Sequence, residues 1–392
     1  MGEAPDTGPI TFLMHDAFSG GGVSRTTTNL ANHLAQTRDV RVISLYRRRK
    51  HARFELDDSI EVTVLDDLRQ DFLRRTLRRQ PSRLRPMPSR KNMSLLSDLL
   101  LRRAIRNVRS GVVVSTRPTL HLALTEYARP EVTTVGWEHL NYVARSQSPR
   151  LMEVLHTAVP RLDGYVVLTE ADAEDYRRDL PGLSTQLQVI RNSVTWPIRS
   201  EPAAVDSVDS KVVVAAGRLV PRKGFKRLVR AFAPVARRHP DWQLHIYGNG
   251  EQKQEIADLI HRLGLESQVE LRGYTRNLPD VLANASIFAM TSLSEGFPMV
   301  LIEAMSTGIP LIAFDCPRGP GETIRHRENG LLIPEGPVRR FSRGLEKLIA
   351  DADLRARLGA QGLRDAEAYT IDNISAEWQH FLGTVSRGRV AG

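Results

Sequence analysis

The chain has 392 residues, of which 41% are hydrophobic and 26% are charged. This composition excludes a mainly disordered chain, and the length predicts two domains. Cys316 is the single cysteine, which excludes an intrachain disulfide bond and a zinc site built on cysteines. The net charge of +10 is concentrated in residues 69–109, where thirteen basic and two acidic side chains sum to +11, while the other 351 residues sum to −1.

No stretch of the sequence approaches the ~20 apolar residues that a membrane-spanning helix needs. The first nine residues are polar, and no basic region followed by an apolar run marks them as a secretory signal. We therefore expect a cytoplasmic protein, which can also lie peripherally on the inner face of the cytoplasmic membrane.

Short apolar runs alternate with amphipathic segments along the chain, which is typical of parallel strands that helices cover on both faces. The predicted strands are 10–15, 40–46, 111–115, 132–138, 165–168 and 187–191, followed by 212–216, 243–247, 269–271, 287–291, 310–314 and 330–333. Helical patterns between them include 23–36, 226–239 and 251–263. The pattern predicts an α/β protein with two parallel sheets.

The sequence predicts a domain break where residues 196–210 are polar and contain two prolines. We expect a first domain at 1–196 with a basic insert at 69–109, a linker at 197–210 and a second domain at 211–369. Ligands of parallel sheets bind outside the carboxyl ends of the strands, so a cleft between the domains is the expected site.

The first motif is a glycine cluster, Gly20 to Gly22, between the first predicted strand and the first predicted helix. Glycines there let backbone N–H groups approach a phosphate or hydroxyl group, and the helix N-terminus adds partial positive charge. The alternative is a plain strand–helix turn.

The second motif occupies the same place in the second domain. Arg218 and Lys223 lie five residues apart in a loop that also contains Pro221 and Gly224. Arginine offers a bidentate fork and lysine a point charge, which together suit a diphosphate. The alternative is a solvated basic loop.

The third motif lies at the start of a helix that follows strand 287–291. Glu303 stands on an apolar run, where a carboxylate is costly to bury unless it has a partner. It can accept two hydrogen bonds from a ribose diol, and Glu295 precedes the helix. The alternative is two structural or capping acids.

These motifs together resemble the GT-B glycosyltransferases of family 4. Glu295 and Glu303 match the E-x7-E motif of that family, and Gly217, Arg218 and Lys223 match its phosphate motif. The resemblance covers nearly all of 211–335, is looser over 9–40 and 132–194, and is absent from the basic insert. It implies two Rossmann-like domains that face each other across a cleft, an acceptor-binding domain first and a donor-binding domain second, with the helix at 370–392 crossing back to the first domain.

The resemblance also implies roles for individual residues. Arg218 and Lys223 would hold the donor diphosphate, Glu303 the ribose, and Glu295 the donor sugar. The implied catalytic set is Glu295, His139, Arg218 and Lys223. Donor binding would further involve Gly21, Gly22, Tyr274, Gly296, Phe297, Pro298, Met299, Val300 and Glu303. Glu138 and His139 would lie on the acceptor side, although a lone histidine is as readily structural.

The family reaction retains the anomeric configuration and requires neither a metal ion nor another cofactor. We therefore expect a hexosyltransferase that uses a nucleotide-sugar, with UDP-sugars favoured over GDP-sugars. The acceptor would be a hydroxyl of a glycan, a polyol-phosphate polymer, a lipid-linked molecule or a natural product, as in cell-wall or exopolysaccharide glycosylation. Asp351 and Asp353 superficially resemble a metal motif, but their position predicts a helix junction.

The basic insert leaves three alternatives open. Leu68, Phe72, Leu73 and Leu77 would form the apolar face of a basic helix that docks on anionic membrane. The insert could instead attract an anionic acceptor, or be a solvated surface.

Two rival functions also remain. A nucleotide-sugar epimerase or a sugar phosphorylase would share the fold. A polyanion-binding or nucleic-acid-binding protein would use the insert, but no nucleic-acid fold signature accompanies it, and we expect no nucleic-acid partner.

Overall fold

A computed structural model describes residues 8–69, 75–86, 93–199 and 210–390, without the side chains of residues 75 and 387–390. The chain divides into two compact units. The first unit contains the chain up to Ser193 together with the C-terminal segment that begins at Ile371. The second unit is Val194–Thr370.

The first unit is built on a parallel sheet of seven strands in the order β3-β2-β1-β4-β5-β6-β7. The strands are β1 Ile10–Met14, β2 Val40–Arg47, β3 Glu61–Asp67, β4 Val112–Ser115, β5 Thr133–Trp137, β6 Gly164–Val167 and β7 Gln186–Val189. Its first seven helices are α1 Gly22–Ala35, α2 Arg75–Arg79, α3 Leu95–Asn107, α4 Pro118–Tyr127, α5 Tyr142–Ser146, α6 Pro149–Ala158 and α7 Glu170–Asp179. The central strands β1, β4, β5 and β6 are buried along their whole length, which is the burial that their apolar sequences demand.

The second unit has a parallel sheet of six strands in the order β10-β9-β8-β11-β12-β13. The strands are β8 Val212–Ala216, β9 Gln243–Tyr247, β10 Val269–Gly273, β11 Ile287–Met290, β12 Leu311–Asp315 and β13 Gly330–Pro334. The helices are α8 Phe225–Arg238, α9 Lys253–Arg262, α10 Leu278–Ala283, α11 Met299–Met305, α12 Pro320–Thr323, α13 Val338–Ala350 and α14 Ala352–Ala366. Apolar side chains from both faces of the sheet pack against these helices.

The last helix, α15 Ile371–Val390, belongs to the first unit although it follows the second in sequence. Its Trp378 is fully buried against Trp137 of β5, with ring centroids 4.8 Å apart. Gly164 of β6 makes room for Phe381, because a Cβ atom there would lie 2.7 Å from its ring. Within the described residues, no helix is long and apolar enough to cross a bilayer.

All twelve predicted strands are present, and their ends differ by at most two residues from the prediction. The sequence did not indicate β3, an edge strand whose first three residues are exposed. The predicted end of the first domain at residue 196 differs from the observed one at Ser193. Trp196 belongs to the second unit because its indole Nε1 donates a hydrogen bond of 2.9 Å to Ser306 Oγ. Residues 200–209 of the predicted linker lie outside the described residues.

The described part of the basic insert, residues 69, 75–86 and 93–109, contributes to the core of the first unit. Helix α3 contributes Leu101 and Ile105 to the core. The side chain of Asp98 is buried and accepts hydrogen bonds from Ser82 Oγ and from the backbone N–H of Arg83. Phe72 and Leu73 of the predicted basic helix lie outside the described residues, and Leu68 and Leu77 are exposed.

Candidate active site

The loops that follow β8 and β11 meet in the second unit through an ion pair. The ammonium group of Lys223 lies 2.7 Å from Oε1 and 2.9 Å from Oε2 of Glu295, whose side chain is only 4% exposed. The guanidinium of Arg222 donates to the carbonyl of Ser294 at 3.0 Å and lies 3.7 Å from Glu295 Oε2. Two cations thus flank one buried carboxylate.

Backbone contacts fix the same two loops to each other. Gly224 has φ = +68°, a conformation that favours glycine, and a Cβ atom there would lie 2.1 Å from the carbonyl oxygen of Thr291. The Thr291 hydroxyl donates to the carbonyl of Gly224 at 3.0 Å. The N–H of Leu293 donates to the carbonyl of Arg222 at 2.8 Å. The position of Lys223 is therefore set by the backbone as well as by its ion pair.

The turn after β9 packs closely against the backbone of the loop after β8. A Cβ atom on Gly248 would lie 1.8 Å from the carbonyl oxygen of Gly217, and one on Gly250 would lie 2.3 Å from that of Leu219. The N–H of Leu219 donates to the carbonyl of Asn249 at 3.0 Å. These contacts make the turn after β9 a support for the loop that carries Arg218.

Helix α11 begins directly after the loop that carries Glu295. Glu303 is the fifth residue of this helix and is 3% exposed, beside buried Ile302 and Ala304. Pro298 precedes the first helical residue instead of lying inside the first turn. Gly296, Phe297 and Pro298 are buried, and Met299 and Val300 are half-buried.

Two of the predicted donor-binding residues face solvent. Arg218 is exposed, and so is Tyr274, at 57% of its surface. Tyr274 follows Gly273, whose carbonyl accepts a hydrogen bond of 2.7 Å from the N–H of Gly248. This bond links the end of β10, just before Tyr274, to the glycine turn that supports the loop of Arg218.

In the first unit, the glycine cluster follows β1 and opens α1 as predicted. Gly21 precedes the helix in an extended conformation, and no side chain caps the helix. A Cβ atom on Gly21 or Gly22 would meet nothing within 4 Å. Packing within this unit therefore does not require glycine at these two positions.

Glu138, which is predicted to lie on the acceptor side, is buried in the first unit at 2% exposure. Arg145 donates from Nε to Oε2 at 2.9 Å and from Nη2 to Oε1 at 2.6 Å. The N–H groups of His139 and Leu140 donate to Oε1 as well. Burial raises the pKa of this carboxyl, but the charge and hydrogen bonds of Arg145 more than offset that and leave the pKa lowered. Both oxygens are engaged, so Glu138 holds the loop after β5.

His139 stands at the end of β5 with its ring 4.4 Å from that of Trp137. Burial lowers the pKa of its imidazole to about 3, although Glu138 acts in the opposite direction. Its Nε2 atom is buried and has no hydrogen-bond partner in the described part of the chain. The imidazole is therefore neutral near pH 7.

Sequence inspection missed the partners of the predicted acids. Arg145 lies seven residues after Glu138, and Arg222 immediately precedes Lys223, but neither spacing identifies a contact across loops. The predicted helix junction at Asp351 is confirmed, because Asp351 Oδ1 accepts a hydrogen bond of 2.8 Å from the N–H of Leu354. The described residues contain no group of three or more side chains suited to a metal ion.

Family models match both units. The model described as Glycosyltransferase Family 4 matches residues 20–195, and the model described as Glycosyl transferases group 1 matches residues 199–365. The chain belongs to the family 4 glycosyltransferases. The predicted GT-B fold is confirmed, with two Rossmann-like units on parallel sheets of seven and six strands.

Three relatives illustrate how far the similarity extends. The chain is 31% identical to an exopolysaccharide phosphotransferase of Streptomyces coelicolor over 96% of its own length but 41% of the relative's. It is 28% identical to an uncharacterized glycosyltransferase of Haemophilus influenzae over 95% of its own length and 99% of the relative's. It is 30% identical to a poly(ribitol-phosphate) alpha-N-acetylglucosaminyltransferase of Staphylococcus aureus over 57% of its own length and 44% of the relative's. The chain thus spans less than half of two of these proteins.

Two solved structures are similar over nearly the whole fold. A mutant of S. aureus TarM, in complex with fondaparinux, alpha-GlcNAc-glycerol and UDP, has a TM-score of 0.77 at 15% identity and covers 96% of this chain and 99% of that one. Anabaena HepE in complex with UDP has a TM-score of 0.76 at 19% identity and covers 96% of this chain and 100% of that one.

Proposed function

We propose that this chain transfers a sugar from a nucleotide-sugar, with UDP-sugars favoured over GDP-sugars, to a hydroxyl group of a cell-wall or exopolysaccharide polymer. The contact between Lys223 and Glu295 carries the proposal. It places an oriented cation beside a buried carboxylate where two loops meet at the carboxyl edge of the second sheet. This is the edge at which ligands of parallel α/β sheets bind.

Each partner of that contact has a part in donor binding. Lys223 is 18% exposed on its side chain, so its ammonium group can face a phosphate while Glu295 keeps it oriented. Arg218, on the same loop, adds an exposed guanidinium that can hold a diphosphate in a bidentate manner. Glu303 accepts the ribose hydroxyls. The choice of uracil is supported by the UDP bound in the TarM and HepE structures.

The proposed reaction retains the configuration of the anomeric carbon. The acceptor hydroxyl attacks that carbon from the face on which the diphosphate leaves. The bond between the anomeric carbon and the phosphate oxygen breaks, its electron pair stays on the diphosphate, and the hydroxyl proton passes to a phosphate oxygen. Arg218 and Lys223 stabilise the developing negative charge. The configuration of the product, measured by proton NMR on a simple acceptor, tests this directly.

No metal ion or other cofactor takes part in the proposed reaction, because the two cationic side chains supply the charge that neutralises the diphosphate. Turnover measured with excess EDTA should therefore equal turnover measured with magnesium. A loss of activity in EDTA that magnesium restores would contradict this part of the proposal.

The proposed acceptor class follows from the names of the relatives. One acts on poly(ribitol-phosphate), and another is named for exopolysaccharide. We infer that this chain modifies a polymer of the same general kind, a glycan or a polyol-phosphate chain. His139 provides a neutral, buried ring nitrogen at the carboxyl edge of the first sheet that can contact such an acceptor.

A thermal-shift screen of UDP-, GDP-, TDP- and ADP-sugars tests the donor site. A donor at 100 times its Kd should stabilise the protein by about 2.7 kcal/mol. Glu303→Ala and Arg218→Ala should abolish that shift. Arg230→Ala, which removes another exposed arginine of the same unit, should preserve it. An unchanged shift in both site variants would remove the basis of the proposal.

We also propose that the basic insert places the protein at an anionic membrane surface on the cytoplasmic side. Leu77 and Leu99 are exposed on α2 and α3, at 37% and 48%, and exposed Arg102 and Arg103 lie beside Leu99 on α3. Apolar side chains with flanking arginines suit an anionic lipid interface. Sedimentation with phosphatidylglycerol vesicles at low salt should show binding that Leu99→Ser weakens, whereas vesicles of neutral lipid should not bind.

A further inference from the structure

A second run of basic residues, outside the insert, lies beside the glycine cluster of the first unit. It begins at the last residue of β2 and includes Arg47, Arg48, Arg49, Lys50 and Arg53. The guanidinium of Arg47 folds back on this run and donates to the carbonyls of Arg49 at 3.2 Å and Lys50 at 2.6 Å. It also stacks over the ring of Phe18 at 4.4 Å. Arg47 is thus used to shape the loop.

The same loop places two further arginines beside the glycine cluster. A Cβ atom on Gly20 would lie 3.6 Å from Nη1 of Arg49 and 3.4 Å from Cγ of Arg53. Both arginines are exposed. The guanidinium of Arg49 and the aliphatic stem of Arg53 therefore lie next to Gly20, shortly before the start of α1. Gly21 precedes this helix, which has no side-chain cap and no acidic residue in its first turn.

The neighbouring strands add to the same positive cluster. His15 follows β1 and Arg117 follows β4, so with Arg48 and Arg49 they occupy the carboxyl ends of three adjacent strands. Partial loss of solvent and the charges of Arg145 and Arg48 lower the pKa of the Arg117 guanidinium. Burial, with the charges of Arg117 and Arg48, lowers the pKa of His15 to about 3. His15, Arg48 and Arg117 are therefore close enough to repel one another, and Arg49 and Arg117 both interact with the charge of Asp16.

The acidic side chains near these arginines already have ion-pair partners. Asp16 is buried and lies 3.4 Å from Nη1 of Arg48, and Glu138 is paired with Arg145. Within the described residues, no acidic side chain forms an ion pair with Arg49 or Arg117. The charges of Asp16 and Glu138 offset the repulsion at Arg117 only in part, since the pKa of its guanidinium stays lowered. An anion that binds among these arginines relieves the remaining repulsion.

We propose that Arg49 and Arg117, supported by Arg48 and Arg53, bind a phosphate group of the acceptor beside the glycine cluster. The inference rests on the proposed function and narrows it, because it makes the acceptor a phosphate-bearing molecule such as a polyol-phosphate polymer. It also moves the anionic-acceptor role from the basic insert to the carboxyl edge of the first sheet. In the insert, Arg69 and Arg78 are paired with Asp67 and Asp66.

This proposal gives Gly21 and Gly22 a contact with the acceptor phosphate in place of their predicted role in donor binding. The space in front of them is open, so a phosphate can approach the backbone N–H groups at the start of α1 without meeting a side chain. Arginine suits this ligand because its planar fork can donate two parallel hydrogen bonds to a phosphate.

Fluorescence anisotropy with a short synthetic glycerol-phosphate oligomer tests the site in the full-length protein. The double variant Arg49→Gln/Arg117→Gln should bind the oligomer about 100-fold more weakly than the wild type, at about tenfold per arginine. The control Arg102→Gln/Arg103→Gln removes the same charge from the insert and should stay within about twofold of the wild type. Arg49→Lys/Arg117→Lys should recover part of the affinity, because lysine keeps the charge and loses the fork.

Three results would overturn the inference: no binding of the oligomer to the wild type, equal binding to the double variant, or an equal loss in the insert control. Binding to phosphatidylglycerol vesicles through Arg49 and Arg117, without oligomer binding, would also overturn it in favour of a lipid headgroup. The UDP-sugar thermal shift, measured on the same variants, reports folding and donor binding. A shift without oligomer binding leaves the proposed function intact, whereas its absence in the wild type contradicts that function whatever the oligomer does.

Discussion

The ammonium group of Lys223 lies within 2.9 Å of both carboxylate oxygens of Glu295, 72 residues further along the chain. The two side chains differ in their access to water. Lys223 is 18% exposed and Glu295 is 4% exposed. The carboxylate therefore depends on the contact more than the ammonium group does, because a buried charge without a partner is strongly destabilising.

This asymmetry predicts unequal costs for the two single substitutions. Lys223→Gln should lower the free energy of unfolding by about 2–3 kcal/mol, since it leaves the Glu295 carboxylate buried with the more distant guanidinium of Arg222. Glu295→Gln should cost about 1 kcal/mol, because Lys223 can turn to water. Both variants should lose transferase activity. Urea unfolding monitored by circular dichroism measures the difference, and an equal or reversed order would contradict it.

The glycine turn after β9 predicts a second effect on the donor loop. Gly248→Ala would place a Cβ atom 1.8 Å from the carbonyl oxygen of Gly217, at φ = +139°. We expect a loss of about 2–3 kcal/mol in the free energy of unfolding and weaker UDP-sugar binding. Gly264→Ala is the matched control, because its φ of +64° is also positive but nothing lies within 4 Å.

That control should cost only about 1 kcal/mol, from backbone strain alone, and should leave donor binding unchanged. The comparison separates the steric clash from the conformational cost of replacing glycine. If both variants lose UDP-sugar binding equally, the loop after β9 does not support the loop of Arg218 in the way described.

The sequence predicted the sheets well because buried parallel strands are continuous apolar runs. It did not indicate β3, since Glu61–Asp67 is a partly exposed edge strand with acids at both ends. It also placed the domain boundary three residues late, because the bond between Trp196 and Ser306 connects residues that are 110 positions apart. Local patterns carry no information on such a contact.

The candidate site was predicted unevenly for the same reason. Lys223, Glu295 and Glu303 stand out in the sequence because charge next to glycine, or within an apolar run, is locally unusual. The engagement of Glu138 by Arg145 is a matter of side-chain geometry that spacing does not fix. The arginines at 47–53 were overlooked because the insert holds most of the net charge. The structure shows that these arginines and the insert are two distinct basic segments.

Because the space at Gly21 and Gly22 is open, we expect substitutions at these glycines to affect acceptor binding without lowering stability. Alanine at Gly22, the first residue of α1, should raise the free energy of unfolding by less than about 1 kcal/mol, because alanine favours helix more than glycine does. Gly21→Ala, just before the helix, should change stability little. Both variants should nevertheless raise KM for the acceptor if a ligand approaches the backbone.

Thermal unfolding and steady-state kinetics on the same preparations test this separation. Gly182→Ala is a suitable comparison, since it has equally open space but a φ of +76° and lies in the first unit away from the cluster. It should lose stability and keep its KM. Unchanged kinetics in both cluster variants would show that no ligand comes close to these glycines.

Three histidines of the first unit predict how stability depends on pH. Burial is the first cause that lowers the pKa of His15, His121 and His139, in each case from 6.5 to about 3. All three are neutral in the folded state at pH 6, whereas the unfolded chain binds protons there. The contribution of these histidines to the free energy of unfolding should therefore be complete above pH 6.5. It should fall as the pH drops from 6.5 towards 3, by up to about 1.4 kcal/mol per pH unit for each histidine.

Urea unfolding at several pH values between 7 and 5 measures this slope. His121→Gln should flatten it by up to one third, whatever it costs at neutral pH through the lost hydrogen bond to Ser115. His51→Gln is the comparison variant, because it makes the same substitution at an exposed histidine of the first unit. If the free energy of unfolding increases as the pH drops from 7 to 5, or if His121→Gln leaves its pH dependence unchanged, these buried histidines do not control the response to acid.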